Sequence, residues 1–265
     1  MSTYEIKNDL RPDFIAIIPA RYESTRFPGK PLAMLGGKPM IQHVWERTKA
    51  VFEAVAVATD DQRIADAVEA FGGRAVMTSS SHRSGTDRIC EAYEKLGSTA
   101  EVVVNVQGDE PFIADSQLRA IAACFDDRKA QIATLVRPFT ANAGLEALKN
   151  PNTPKVVVSS DDYALYFSRS VIPYLRGVDE SEWLTHHRFY AHIGLYAYRA
   201  NVLKQVAAMP QGLLEKAESL EQLRWLEAGL KIKVGYTDCR TIGIDTPQDL
   251  EAAEAYLASL QDNNL

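Results

Sequence analysis

The sequence predicts an α/β fold, a mostly parallel central sheet with helices on both faces, and three features lead to it. Short unbroken apolar runs recur along the chain, as strands buried on both faces require. Segments of helical period separate them, the rhythm of right-handed crossovers between parallel strands. The third feature is size. A chain of 265 residues, 46% of them hydrophobic, can bury a substantial core unaided, and Cys90, Cys124 and Cys239 have neither metal-ligand spacing nor an even count.

Residues 14–18 read as the first strand, an apolar run closed by Pro19, and a loop rich in glycine and proline covers residues 20–37. Met40, Ile41 and Val44 open a helix that runs to about Val51. Residues 55–58 form a second strand, and Asp60 or Asp61 caps the helix carrying Ile64, Ala65 and Val68. Gly72 and Gly73 stop that helix before a short strand at 75–77. Residues 86–96 are helical, with Ile89, Tyr93 and Leu96 at core spacing, and 102–106 make another buried strand.

After a strand at 132–136 the rhythm changes. Residues 156–158, 163–168 and 189–198 read as strands without evident crossover helices, which points to antiparallel pairing. A small lobe at about 155–200, laid over the sheet's edge, accommodates them. A helix at 219–228, a strand at 232–236 and a helix at 247–260 complete the pattern. With no repeat and no low-complexity linker, residues 13–265 read as one domain behind an N-terminal extension at 1–12.

A net charge of −6, with no lysine- or arginine-rich block, argues against nucleic acid as a partner, since such a surface must neutralise several phosphates at once. No apolar stretch approaches the roughly 20 residues that span a bilayer, and residues 1–13 are too polar for a secretory signal. The expectation is a cytoplasmic enzyme or binding protein for small molecules, with no membrane insertion.

Open α/β sheets bind ligands beyond the carboxyl ends of their strands, so the loop after the first strand is the first place to look. It gathers Arg21, Arg26 and Lys30 beside Ser24, Thr25 and Gly29. Guanidinium forks, an ammonium point charge and a backbone open to close approach suit a triphosphate. Pro31 after Gly29 and Lys30 excludes a Walker loop, and the dinucleotide glycine fingerprint is missing.

Asp109, in the turn Gln107-Gly108-Asp109-Glu110-Pro111, follows a buried strand, and Gly108 leaves room there for a ligand. Mg²⁺ favours one or two such carboxylates plus phosphate oxygens. In Gly243-Ile244-Asp245-Thr246-Pro247, Thr246 caps a helix, with Pro247 at its first position and Asp249 at its third. Capping leaves Asp245 unexplained. It is either a surface acid or a second metal ligand that meets Asp109 across the cleft.

Three weaker signals remain. Period-two spacing puts His192, Gly194 and Tyr196 on one strand face, a set that suits a polyhydroxylated ligand or a core histidine. Ser219 and Gln222 fit a capping box, with Leu220, Leu223 and Leu226 toward the core. Arg169 is either a surface arginine or a clamp for a carboxylate.

Together, the cationic loop at 20–32, the turn at 107–111, the segment 163–169, His192-Ile193-Gly194 and the segment 243–247 resemble the 3-deoxy-manno-octulosonate cytidylyltransferases, or CMP-Kdo synthetases. The resemblance runs in family order over about residues 13–260. It implies a Rossmann-like nucleotidyltransferase fold that moves CMP from CTP onto the anomeric hydroxyl of Kdo, an eight-carbon acidic sugar. Pyrophosphate is released, and the product feeds lipopolysaccharide core synthesis. It also implies Mg²⁺ dependence and a homodimer.

Attack in line with departing pyrophosphate makes positioning and charge neutralisation dominant. On this reading Arg21, Ser24, Arg26 and Lys30 hold the triphosphate, while Asp109 and Asp245 hold Mg²⁺. Arg21, Lys30, Asp109 and Asp245 form the catalytic set. Similarity to the family places Ser84 near the cytosine, Gln107 between nucleotide and sugar, and Arg169, His192, Tyr196, Glu221 and Gln222 around the sugar. A neuraminate acceptor is the rival, and the lysine- and asparagine-rich first loop expected for it is missing here.

Overall fold

The computed structural model describes residues 13–239 and 242–262, so the extension expected at 1–12 lies outside the described residues. The chain enters through strand β1 (Phe14–Ala20) and turns through a two-stranded ribbon, β2 (Met34–Leu35) and β3 (Lys38–Pro39), into helix α1 (Met40–Lys49). Strand β4 (Ala54–Thr59), helix α2 (Gln62–Ala70) and strand β5 (Ala75–Met77) follow, then helix α3 (Gly85–Lys95) and strand β6 (Val102–Asn105). Helix α4 (Asp115–Ala123) leads to strand β7 (Ile132–Pro138), helix α5 (Gly144–Lys149) and strands β8 (Lys155–Val158) and β9 (Ala164–Ser168). Helix α6 (Trp183–His186), strand β10 (Tyr190–Arg199) and helices α7 (Ala200–Ala207), α8 (Leu213–Glu218) and α9 (Gln222–Glu227) come next. Strand β11 (Ile232–Tyr236) and helix α10 (Pro247–Asp262) end the described chain.

The main sheet runs β11-β7-β10-β6-β1-β4-β5. β1 sits near its middle because its residues are apolar on both faces, and it pairs in parallel with β4 and β6. β4 pairs in parallel with β5, and β7 with β11. Alternate residues of β1 enter different cores. Ile17 joins Ile89, Tyr198 and Trp225 on one face, and Ile18 joins Ile41, Ile64 and Leu118 on the other. The mostly parallel sheet with helices on both faces is therefore as predicted.

The late strands depart from expectation in placement. They are antiparallel, but β10 lies inside the main sheet between β6 and β7 rather than over its edge. Only its first residues, Tyr190 and Ala191, reach out to pair with β8, which in turn pairs with β9. The small lobe draws its own core from Phe139, Leu148, Trp183, Phe189 and Ala191, so it begins before residue 155. Helices α4 to α8 have no counterpart in the elements expected from sequence.

At the 219–228 segment the predicted capping box is missing: α8 ends just before it and only the short α9 lies within it. Ser219 ends α8 in a left-handed conformation, φ 51°, and Glu221 precedes α9. Among the described residues no helix is long and apolar enough to cross a membrane, and Cys90, Cys124 and Cys239 are free thiols.

Candidate active site

Two strand ends and the approach to a helix build the cleft. β1 delivers the cationic loop, β6 delivers the turn at 107–111, and the segment before α10 delivers Asp245. Thr246 and Asp249 fix that last segment reciprocally: the Thr246 amide donates to Asp249 Oδ2 at 2.8 Å, and the Asp249 amide donates to Thr246 Oγ1 at 3.2 Å. This is the capping arrangement expected from sequence, and it leaves the Asp245 carboxylate directed elsewhere.

Lys30 stands at the centre. Its Nζ donates to Asp109 Oδ2 at 2.7 Å and to Asp245 Oδ1 at 3.1 Å, while Arg26 pairs with the other Asp245 oxygen at 3.0 Å. Two acids far apart in sequence thus converge on one cation. Both remain accessible, with side chains 34% and 47% exposed, so a ligand can reach them. Of the adjacent acids in the turn only Asp109 faces the cleft. Glu110 turns inward, where burial first and the Asp109 charge second push its carboxyl up to about 7.

A cavity of about 460 Å³ unites Arg21, Ser24, Arg26 and Lys30 with Ser84, Gln107, Asp109 and Asp245. All the phosphate, metal and base positions expected from sequence therefore share one site. Gly108 has a different reason from the one predicted: a Cβ there would lie 2.7 Å from the Pro19 carbonyl oxygen. It permits close packing of the turn against the end of β1 instead of leaving space for a ligand.

The expected sugar positions divide. Glu221 borders a second cavity of about 590 Å³, which shares Arg83 and Ser84 with the first. Its carboxylate accepts from Thr86 Oγ1 at 3.0 Å and from Arg224 at 2.7 Å, and burial raises its pKa. His192 and Tyr196 lie 5.3 Å apart, ring to ring, with Phe167 against the imidazole. Burial alone holds the His192 imidazole down at about 3, and Nε2 meets Thr134 Oγ1 at 3.0 Å. Gln222 is buried, its Nε2 has no hydrogen-bond partner among the described residues, and like His192 and Tyr196 it lines neither cavity.

Arg169 is held by main-chain acceptors. Its guanidinium donates to the carbonyls of Glu218 (2.5 Å), Pro151 (2.9 Å) and Ser219 (3.2 Å), and its amide donates to Glu218 Oε2 at 2.7 Å. Three of these bonds tie the end of β9 to the end of α8, and the fourth reaches the turn before β8. Arg169 lines neither cavity, although Ser219, whose carbonyl it holds, borders the second.

Sequence reading missed Arg88, which also lines the nucleotide-side cavity. It is buried and donates to Thr78 Oγ1 and Asp60 Oδ2, both at 2.7 Å. The available signal was a charge on the apolar stripe of α3, beside Ile89 and one turn before Ala92.

A parallel-sheet fold with a cationic loop and two convergent carboxylates at its carboxyl edge defines a nucleotide-handling α/β enzyme. Residues 15–232 match the family described as Cytidylyltransferase, and the chain belongs to that family. It is 63% identical over 244 residues to a 3-deoxy-manno-octulosonate cytidylyltransferase of Phocaeicola vulgatus, covering 92% of this chain and 97% of that protein. A protein of the same name from Parabacteroides distasonis is 62% identical over 247 residues, covering 93% and 98%. Among solved structures, a CMP:2-keto-3-deoxy-manno-octonic acid synthetase complexed with CTP superposes with a TM-score of 0.85 at 43% identity, covering 93% of this chain and 99% of that one.

Proposed function

We propose that the protein transfers CMP from CTP to the anomeric hydroxyl of Kdo, giving CMP-Kdo and pyrophosphate for lipopolysaccharide core synthesis. The observation that carries this reading is the convergence of Asp109 and Asp245 on Lys30 beneath the cationic loop. It occurs in a chain more than 60% identical to proteins named for that reaction.

Arg21, Arg26 and Lys30 grip the triphosphate, and Lys30, 15% exposed, stands nearest the two acids, where negative charge develops as pyrophosphate leaves. Ser84, which caps α3 through the Asp87 amide at 3.1 Å, and the neighbouring Arg83 form the wall shared with the second cavity. The acceptor enters from that side, toward Glu221.

Mg²⁺ fits the residues present. Asp109 and Asp245 offer hard oxygen donors that already close around a cation, the Lys30 ammonium. Among the described residues no cluster of three or more His, Cys, Asp or Glu side chains is available, so the protein contributes two carboxylates and phosphate oxygens contribute the rest. A metal there would neutralise phosphate charge and favour ionisation of the attacking hydroxyl. The protein's own part is to hold donors, phosphates and hydroxyl in line.

The proposal includes a cytoplasmic location, which the free thiols support, and a homodimer, which the family resemblance supports and light scattering tests. The reaction itself is tested by supplying CTP, Mg²⁺ and several acidic sugars and counting pyrophosphate released. Kdo should rank first. Equal or faster turnover with neuraminate would reject the assignment.

A further inference from the structure

The cationic loop is a thin wall between two spaces. Arg21, Ser24 and Thr25 border the nucleotide-side cavity and also a cavity of about 530 Å³ on the loop's outer side. The outer space is lined by Tyr22, Asp61 and Arg63 as well, none of which borders the nucleotide side.

A chain of contacts runs from helix α2 through these residues into the loop. Asp61 caps α2 by accepting the Arg63 amide at 3.0 Å. The same carboxylate takes a two-point fork from the Arg63 side chain, Nε to Oδ1 at 2.9 Å and Nη2 to Oδ2 at 2.7 Å. The oriented guanidinium then lies 3.3 Å from the centroid of the Tyr22 ring.

Tyr22 in turn closes the loop. Its carbonyl accepts the Gly29 amide at 2.8 Å, and Gly29 adopts φ 72° so close to the phenol that a Cβ would stand 3.1 Å from Cζ and Oη. Lys30 follows directly. The ring is thus flanked by Arg63 and Gly29, and the loop's phosphate-facing residues sit on either side of it in sequence.

We propose that Arg63 is a positioning residue for the nucleotide: forked to Asp61 and stacked on Tyr22, it braces the loop at 21–29 from outside in the shape that grips the triphosphate. This rests on reading the cleft as the CTP site. Arg63 touches no substrate, so its effect passes through Tyr22 to Arg21, Ser24 and Lys30.

The test measures CTP affinity by calorimetry without acceptor, alongside steady-state kinetics with CTP and Kdo, for the parent chain and for Arg63→Gln, Arg63→Lys, Tyr22→Phe and Tyr22→Leu. Arg63→Gln and Tyr22→Leu should each weaken CTP binding about fivefold, the loss of one exposed cation–ring contact, with the KM for Kdo changed by less than about twofold. Arg63→Lys should recover part of the loss because an ammonium still faces the ring. Tyr22→Phe, which keeps the aromatic face, should match the parent.

Unchanged CTP affinity in Arg63→Gln overturns the brace alone. So does an equal loss toward CTP and Kdo, which would mark general loosening of the fold. A parent chain that fails to bind CTP overturns the nucleotide reading and the brace together.

Discussion

The main-chain amide of Ile244 donates to the carbonyl of Asp109 at 2.9 Å, binding the segment that enters α10 to the turn that leaves β6. Ile244 itself is fully buried with Leu35, Met40 and Ala253. Each side chain of the carboxylate pair is therefore set by a neighbour in the backbone: Asp109 by its own carbonyl, Asp245 by the residue before it. The spacing of the two acids is a property of the packed chain and does not depend on what they bind.

Asp109→Asn and Asp245→Asn should accordingly separate chemistry from stability. Each should lower kcat by about 10²-fold or more, because preorganised charge at the reacting phosphate is lost. Each should shift the Tm by no more than about 2 °C, since both carboxylates are solvent-facing. A chelator should abolish turnover of the parent chain and added Mg²⁺ should restore it. Near-normal rates in either variant would remove that residue from the site.

Arg169→Ala should behave in the opposite way. Loss of a guanidinium that satisfies three carbonyls should cost about 2 kcal/mol of stability and lower the Tm by several degrees. The KM for Kdo should stay close to the parent value. A KM raised about tenfold or more with an unchanged Tm would restore Arg169 to the acceptor's carboxylate.

His192 should leave a signature in the pH dependence of stability. Burial holds its imidazole at about 3, against 6.5 for the exposed side chain. Between those values the unfolded chain carries a proton that the folded chain refuses, so stability rises with pH through this window and is lost as the pH falls toward 3. Denaturant titrations of His192→Gln between pH 4 and pH 7, roughly that window, should show a shallower slope than the parent. An equal slope would assign the acid sensitivity to other groups.

Gly108→Ala should disturb catalysis without touching a reacting atom. The added methyl meets the Pro19 carbonyl at 2.7 Å, so the turn carrying Asp109 must shift. A displacement of this kind should lower kcat by about 10- to 100-fold, with Mg²⁺ needed at higher concentration. An unchanged rate would show that the turn accommodates the methyl without moving Asp109.

Much of this is legible in the sequence because the signals are local. β1 declares itself by being apolar on both faces, and α10 by the Thr246–Asp249 cap. The cationic loop is contiguous in sequence, so its three cations needed no long-range pairing to be grouped. For Asp245 the residues leave two readings open, a surface acid or a partner of Asp109, and the structure brings the two acids together on Lys30.

What escaped depended on distant partners or unusual ends. α4 begins without a Ser, Thr, Asp or Asn cap, and Gln117 reaches back to the Ala114 amide instead. α7 follows β10 at once, with no side-chain cap to announce it. Ser219 had the residue type of a helix start but adopts a left-handed conformation at a helix end, held there while its carbonyl accepts from Arg169. The insertion of β10 between β6 and β7 is decided by strand pairing that no short window contains.

That insertion limits how the molecule can move. One continuous ribbon of backbone, β10, belongs both to the central sheet and to the ladder leading to β8 and β9. The outlying hairpin is thus a cantilever fixed in the main beam, and tilting it as a free flap would require unzipping shared rungs.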